Sequence, residues 1–160
     1  MDALTLLEED HQKVKKLMGE IEKTTERGVK TREELFGKLV EELTIHEKIE
    51  EQIFYPAVKE RATSKQLEEL VNESYEEHHF VDLVKAEIEN TPFASEQWAA
   101  KFKVMKENIE HHAFEEEEGE MFPKVRRAFK KDELEEMGAR MAELKEQLKD
   151  VLPAEEPTGA

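Results

Sequence analysis

The sequence predicts an all-α protein, an up-down-up-down four-helix bundle followed by an additional C-terminal helix. Charged residues make up 40% of the chain, whereas glycine and proline number 6 and 5, a composition typical of long solvated helices rather than of strands. Apolar residues recur at helical spacing in five segments. The connections between the first four segments are short, which favours antiparallel neighbours.

The first two predicted helices form one hairpin. The first runs from about Ala3 to Arg27, and Gly28 is its stop signal. Its apolar stripe comprises Leu4, Leu7, Val14, Leu17, Met18 and Ile21. The second begins with a predicted capping box, TREE, over residues 31–34 and ends near Arg61. Its apolar stripe comprises Leu35, Leu39, Leu43 and Ile53.

The next two predicted helices form a second hairpin, and a fifth helix follows. The third helix starts after Ser64 and closes at residues 91–92, a Thr-Pro pair. The fourth runs from near Ser95 towards Phe129, and the fifth starts at Asp132. The apolar positions of these helices are Leu67, Leu70, Val71, Val81, Val84 and Ile88, then Trp98, Phe102, Met105 and Ile109, then Leu134, Met137, Met141, Leu144 and Leu148.

These segments suggest one domain and a tail. A chain of 160 residues is long enough to bury a core. We expect the bundle to span residues 1–130 and the fifth helix, over 131–152, to pack on it. The remaining segment, 153–160, reads PAEEPTGA. It is polar and contains prolines, so we expect a disordered tail.

Composition excludes several classes of function. Lys and Arg number 24 and Asp and Glu 40, a net charge of −16, so nucleic acid and anionic membranes are not expected partners. The absence of cysteine excludes disulfides, a thiolate nucleophile and zinc–cysteine or iron–sulfur sites. No segment is apolar enough to cross a bilayer, and the N-terminus lacks a signal-peptide pattern. A cytoplasmic protein is therefore expected.

The two hairpins are copies of one another. EDHQKVKKLMGEIE, from Glu9, matches EEHHFVDLVKAEIE, from Glu76, at an offset of 67 residues. The same offset maps Glu50 onto Glu117 and Pro56 onto Pro123, whereas His46 maps onto His112 at an offset of 66. The chain thus contains an internal duplication of a helix pair, with a one-residue slip inside the second copy. Two repeats are fewer than a solenoid needs.

Each bundle helix places one histidine in its apolar stripe, where a core residue is expected. These histidines are His11, His46, His78 and His112. Glu50 follows His46 on the same face, and the fourth helix carries a corresponding carboxylate. Burying such groups unpaired costs several kcal/mol per ion, whereas a metal turns them into ligands. Imidazole and carboxylate without thiolate suit Fe, Mn or Zn, and two bridging carboxylates suggest two ions.

The carboxylate of the fourth helix has two candidates. Regular spacing from His112 gives Glu116, but continuing in that phase gives a poor core face. Continuing from Glu117 reaches Met121 and Val125, a good core face, and the repeat offset also selects Glu117. An inserted residue is commonly absorbed as a π-bulge, and such bulges favour functional sites. We therefore predict a wide turn between His112 and Glu117, with Glu117 as ligand and Glu116 as the alternate.

The chain resembles the hemerythrin-like, or HHE cation-binding, family. The matching elements are EDH at His11, IHEKIEEQIFYP, EEHH at His78 and HHAFEEEEGEMFP, from about Leu4 to Phe129. The resemblance implies a hemerythrin-like four-helix bundle that holds two Fe ions bridged by two carboxylates and an oxo or hydroxo group, with Mn or Zn as alternatives. By position, the resemblance implies four terminal ligands, which are His11, His46, His78 and His112. It implies two bridging ligands, which are Glu50 and either Glu117 or Glu116.

The sequence also departs from the oxygen carriers of that family. Those carriers have a fifth histidine, from an H-x-x-x-H pair on the third helix, but Asp82 stands four residues after His78 here. One ion then has an open position, or it takes Asp82, His79 or a tyrosine, either Tyr55 or Tyr75. An open position favours reaction over reversible carriage.

Three functions remain open at this stage. The first is a di-iron protein that binds or reacts with O2, peroxide or NO and so handles or senses oxidative or nitrosative stress. If it is an enzyme, we expect it to decompose peroxide or to react with NO. The second is an iron buffer or an iron- or oxygen-responsive module without turnover. The third is a metal-free structural bundle. A protein partner is expected to dock through the fifth helix, and the chain is expected to be a monomer or a dimer.

Overall fold

A computed structural model of the chain describes residues 1–155, and these contain no strand. Two π-helical segments, Glu50–Phe54 and His111–Met121, each join two α-helices without interruption. The α-helices are α1 (Ala3–Glu22), α2 (Val29–Ile49), α3 (Tyr55–Arg61), α4 (Lys65–Glu89), α5 (Glu96–Glu110), α6 (Phe122–Ala128) and α7 (Lys131–Glu155). The bundle therefore consists of four long helices, α1, α2–α3, α4 and α5–α6, and α7 is the fifth helix. The predicted all-α fold is confirmed.

Side-chain caps start three of these helices. Asp2 accepts a hydrogen bond from the Thr5 backbone N–H at 2.8 Å. The hydroxyls of Ser64 and Ser95 each accept the N–H of the residue three positions later, at 3.2 Å. These bonds satisfy N–H groups that have no partner within the helix. The predicted starts of the third and fourth bundle helices are thus confirmed.

The predicted capping box at residues 31–34 is wrong. Helix α2 begins at Val29, without a side-chain cap, and α1 ends at Glu22, before its predicted end. Buried Arg32 fixes this end of the bundle instead. Its guanidinium donates to both the hydroxyl and the carbonyl of Thr24 at 2.9 Å, and to the Phe93 carbonyl at 2.5 Å. Tertiary hydrogen bonds therefore replace the local capping interaction here.

The apolar core consists of two clusters, one at each end of the bundle. The first includes Leu4, Leu7, Phe54, Tyr55, Val71, Met121 and Phe122. The second includes Met18, Phe36, Leu39, Ile88, Trp98 and Phe102. Every bundle helix passes from one cluster to the other, and its stripe histidine lies at the transition. Within the described range, no helix is both long and apolar enough to cross a membrane.

Helix α7 packs against α1, α2 and the first π segment. It buries Leu134, Met137 and Met141 in the first cluster. Gly138 lies against the start of α1 so closely that a Cβ there would be 2.3 Å from the Met1 carbonyl oxygen. The helix extends to Glu155, three residues beyond the predicted 152. The rest of the predicted tail, 156–160, lies outside the described residues.

Candidate metal centre

Six buried side chains meet between the two apolar clusters, and we call them the inner cluster. They are His11, His46, His78, His112, Glu50 and Glu117. The histidines are 4–7% exposed, and the two carboxylates are fully buried. The structure therefore brings together the four predicted histidines, Glu50 and the preferred carboxylate of the fourth bundle helix.

Each carboxylate of the inner cluster lies between two imidazoles from different hairpins. Glu50 Oε1 is 3.1 Å from Nε2 of His46 and 3.1 Å from Nε2 of His78. Glu117 Oε1 is 3.1 Å from His11 Nε2, and its Oε2 is 3.4 Å from His112 Nε2. The arrangement follows the internal duplication, because each hairpin contributes one carboxylate and two histidines.

Several of these atoms have no hydrogen-bond partner in the described structure. Both oxygens of Glu50, Oε1 of Glu117 and Nε2 of His11 are buried without one. Unsatisfied buried polar groups are rare in native proteins and each costs about 1–3 kcal/mol, or more when charged. Unpartnered carboxylate and imidazole atoms that converge on one point are the donor set of a metal site.

The ligand atoms form two groups that share a residue. His11, His46, Glu50 and Glu117 offer atoms that all lie within 4.8 Å of one another, and so do Glu50, His78 and His112. The imidazole rings are paired accordingly, with centroids 5.0 Å apart for His11 and His46 and 5.1 Å apart for His78 and His112. Because Glu50 belongs to both groups, the geometry suits two adjacent cations joined by a carboxylate.

The outer nitrogen of every imidazole meets a carboxylate. Nδ1 of His11 lies 2.6 Å from Glu118, and Nδ1 of His46 lies 3.0 Å from Asp10. Nδ1 of His78 lies 2.8 Å from Glu51, and Nδ1 of His112 lies 2.8 Å from Glu77. Such partners keep the proton on Nδ1 and leave Nε2 free to bind a metal.

Both π segments position the buried carboxylates. In the first, the backbone N–H of Tyr55 bonds to the Glu50 carbonyl, five residues earlier. In the second, the N–H of Phe122 bonds to the Glu117 carbonyl in the same way. Each donor directly precedes a proline, which has no N–H and disfavours a regular helical turn before it. The predicted wide turn between His112 and Glu117 is confirmed, whereas the first π segment was not predicted.

Among the described residues, Tyr55 supplies the one aromatic hydroxyl in hydrogen-bond contact with the inner cluster. It donates a hydrogen bond to Glu117 Oε2 and lies 3.4 Å from Nε2 of His78 and 3.3 Å from Nε2 of His112. Its counterpart in the duplication, Phe122, stacks on His11 with a centroid distance of 6.2 Å. The pair His78 and His112 thus faces a phenol, whereas His11 in the other pair stacks on a phenyl ring.

The other candidates for an additional ligand lie elsewhere. Asp82 is 49% exposed and faces Lys85, and His79 is exposed. The hydroxyl of Tyr75 donates to the Glu51 carbonyl at 3.4 Å. Among the candidates left open by the sequence, the structure brings Tyr55 to the inner cluster.

Glu116 lies outside the inner cluster, in a second group at the rim of the bundle that we call the rim cluster. It consists of Glu77, His111 and Glu116. His111 Nε2 is 2.7 Å from Glu116 Oε1, and His111 is 56% exposed. Burial and the neighbouring Glu77 carboxylate raise the pKa of Glu116 to about 7. The structure therefore separates the two alternates, with Glu117 inside and Glu116 at the rim.

Electrostatic interactions inside the bundle favour protonated imidazoles beside ionised carboxylates. Burial lowers the pKa of His46, but the charges of Glu50 and Asp10 outweigh burial and raise it well above its usual value. Burial raises the pKa of Asp10, but hydrogen bonds and charges of His46 and Lys145 bring it down to about 2. Without a metal, the imidazoles thus hold protons that compensate the carboxylates.

A small cavity lies against the four imidazoles. Its volume is about 30 Å³, and its other walls are mainly apolar. Those walls include Val14, Met18, Leu43, Val81, Ile109 and Phe114. A space of about 10–15 Å³ holds one water, so this cavity can admit a molecule of a few atoms directly beside the inner cluster.

Sequence reasoning did not identify three of the four residues that orient the imidazoles; the fourth, Glu51, was one of two candidates for that role, beside Glu47. Asp10, Glu77 and Glu118 are carboxylates on helices with many charged residues, so local pattern does not distinguish them from solvated side chains. The duplication contains the signal that identifies them. The 67-residue offset that relates His11 to His78 also relates Asp10 to Glu77 and Glu51 to Glu118.

Comparison with known proteins identifies the family of the chain. Residues 2–125 match the sequence model of the hemerythrin HHE cation-binding domain. A crystal structure of a hemerythrin HHE cation-binding domain-containing protein from Mycobacterium kansasii superposes with a TM-score of 0.82, at 30% identity over 94% of this chain and 89% of that one. No curated protein is significantly similar to the chain in sequence. The chain belongs to the hemerythrin HHE cation-binding domain family.

Proposed function

We propose that the inner cluster holds two iron ions and that the protein binds or reacts with a small ligand such as O2, peroxide or NO. The unpartnered buried oxygens of Glu50, which lie between two histidine pairs, are the observation that carries this proposal. Two ions there would satisfy those oxygens and replace the protons on the imidazoles. The family is a cation-binding one, and the donor set contains no thiolate.

The residues divide between the two ions as the geometry groups them. His11 and His46 would hold one ion, and His78 and His112 the other. Glu50 would be shared by the two ions, because it belongs to both groups. Glu117 would also contribute to both, since its two oxygens face one histidine of each pair. Bound iron supplies redox chemistry and open positions for a small ligand.

The surrounding residues would make reaction with a small ligand selective. The cavity beside the imidazoles is about 30 Å³ and mainly apolar, so it admits diatomic molecules or peroxide and excludes larger substrates. The Tyr55 hydroxyl holds a proton inside the site, which is a suitable source for a ligand that needs one. The absence of a fifth histidine at the carrier spacing favours reaction over reversible transport.

Carboxylate variants test the iron assignment. Glu50→Gln and Glu117→Gln remove a ligand charge while keeping the side-chain volume, and we expect both to lose the two-iron stoichiometry of the parent protein. Glu116→Gln is the matched control, because Glu116 belongs to the rim cluster. Iron content per chain after reconstitution and desalting gives the measurement. Equal iron in Glu117→Gln and the parent, with loss in Glu116→Gln, would reverse the assignment.

An iron-buffer function is the second candidate, and the acidic charge of the chain favours it. The net charge is −16, which concentrates cations near the surface. Peroxide decomposition by the iron-loaded protein separates the two functions. We expect a rate above that of the same concentration of free iron. A rate no greater than this, with rapid iron release to a chelator, would instead support the buffer.

A further inference from the structure

The fifth helix reaches the inner cluster through one lysine. Lys145 of α7 is 13% exposed, and its ammonium group donates to Oδ1 of Asp10. Asp10 is 2% exposed, and its other oxygen lies 3.0 Å from Nδ1 of His46. A continuous chain of contacts thus runs from α7 through Lys145 and Asp10 to His46.

The second hairpin has no such lysine. The counterpart of Asp10 in the duplication is Glu77, which lies 2.8 Å from Nδ1 of His112. Among the ion pairs of residues 1–155, none joins Glu77 to a lysine or arginine, and its neighbours are the rim residues His111 and Glu116. The duplication relates the two halves of the site, but α7 supplies a lysine to the carboxylate of only one half.

We infer that Lys145 is a positioning residue that holds Asp10, and through it His46, and thereby couples the docking of α7 to metal binding at the His11–His46 half. This inference rests on the proposed function. A carboxylate that accepts from two donors on different helices has a fixed orientation, so the imidazole keeps its proton on Nδ1 and presents Nε2 to the metal. Coupling is reciprocal, so metal binding should also hold α7 in place.

Substitutions at two lysines of α7 test the inference. Lys145→Met keeps the length of the apolar stem and removes the charge, and Lys145→Arg restores it. Lys149→Met is the control, because Lys149 pairs with Glu146 of its own helix. Circular dichroism of each variant verifies that the bundle is folded.

The first readout is Fe(II) binding under anaerobic conditions, measured by chelator competition. We expect the parent and Lys149→Met to bind two ions per chain, and Lys145→Met to bind one of them about tenfold more weakly, the lower end of what loss of such an outer contact costs. Lys145→Arg should recover most of that affinity. Amide hydrogen exchange in α7 should slow on Fe(II) binding in the parent and slow less in Lys145→Met. Equal affinities and equal exchange in the parent and Lys145→Met would overturn the inference.

The second readout uses the metal-free protein and does not depend on iron. The proton on Nδ1 of His46 should give a protected signal in nitrogen-resolved NMR spectra of the parent and Lys149→Met, and a fast-exchanging or absent one in Lys145→Met. An unchanged signal in Lys145→Met would show that Lys145 does not position His46. Failure of the parent to bind two ions would instead count against the proposed function and leave this readout decisive for Lys145.

Discussion

At the scale of single residues, the carboxylates of Glu50 and Glu117 determine the protonation of the imidazoles around them. Both are fully buried, and a buried carboxylate needs a compensating positive charge. In the metal-free chain, protonated imidazoles supply that charge. Burial lowers the pKa of His78, but the neighbouring carboxylates of Glu50 and Glu51 outweigh burial and raise it to about 9. Metal ions would replace these protons.

We expect the metal-free protein to lose stability as the pH rises from about 6.5 to about 9. The pKa of His78 rises from 6.5 in the unfolded chain to about 9 in the folded one. A raised pKa stabilises the fold fully below the unfolded value, and that contribution disappears as the pH passes the folded value. Urea unfolding in the presence of a chelator measures the effect, with His79→Gln, at an exposed position, as the control. Stability that increases over this range would contradict the account.

Tyr55→Phe should destabilise the metal-free protein by about 1.5–3 kcal/mol, the usual value of a hydrogen bond to a charged group. The substitution removes the hydroxyl that donates to Glu117, and Phe122 shows that a phenyl ring fits the equivalent position. Tyr75→Phe is the matched control, because its hydroxyl makes a long 3.4 Å bond to the Glu51 carbonyl. Urea unfolding compares the two variants. A larger loss of unfolding free energy in Tyr75→Phe than in Tyr55→Phe would contradict this prediction.

At the scale of helices, the two π segments and α7 adapt a duplicated hairpin to a buried site. Each π segment ends immediately before the residue that precedes a proline. In each, the backbone carbonyl of the buried glutamate accepts a bond from the N–H five residues later. Helix α7 then closes the end of the bundle where Leu4 and Tyr55 lie. Its docking depends on Gly138, which allows the helix to cross the start of α1.

Gly138→Ala should destabilise the fold by about 1–3 kcal/mol, the usual cost of overpacking. The added Cβ would be 2.3 Å from the Met1 carbonyl oxygen and 2.7 Å from the Asp2 carbonyl carbon, so α7 or the N-terminus must move. Gly37→Ala is the control, because nothing lies within 4 Å of a Cβ at that position in α2. Replacing a helix-interior glycine there should stabilise by about 0.5–1 kcal/mol. Thermal unfolding of both variants should therefore show shifts of opposite sign.

Sequence periodicity predicts only part of this arrangement. The four histidines and the wide turn before Glu117 follow from the apolar stripes and from the duplication. The first π segment leaves no such trace, because His46 and Glu50 keep the regular spacing of four residues. Tyr55 was one of several candidates for an additional ligand, and the duplication does not select it, because its repeat counterpart is a phenylalanine. Lys145 was not identified, because it reaches the site only through the docking of α7. Tertiary contacts of this kind are absent from local patterns.

At the scale of the whole molecule, the bundle holds a polar layer between two apolar clusters. Each hairpin contributes two histidines and one carboxylate, so neither hairpin contains a complete site alone. The apolar clusters on both sides exclude water from the layer, which strengthens electrostatic interactions within it. The acidic surface, with a net charge of −16, surrounds a centre built for cations.

Metal binding should also stabilise the whole fold. A ligand that binds only the folded state adds RT ln(1 + [L]/Kd), about 2.7 kcal/mol at one hundred times Kd. We expect the melting temperature to rise on adding Fe(II) to the metal-free protein, and Glu50→Gln to show little of this rise. A metal-free structural bundle predicts the reverse, since Glu50→Gln would then relieve buried charge and raise the melting temperature of the metal-free protein.

Iron content per chain, with the ultraviolet–visible spectrum of the same sample, tests the central claim most directly. The protein is expressed with added iron, desalted and analysed without further treatment. The account predicts two irons per chain and charge-transfer absorption of a bridged di-iron centre. One metal ion per chain, or a folded helical protein that retains none, would contradict it.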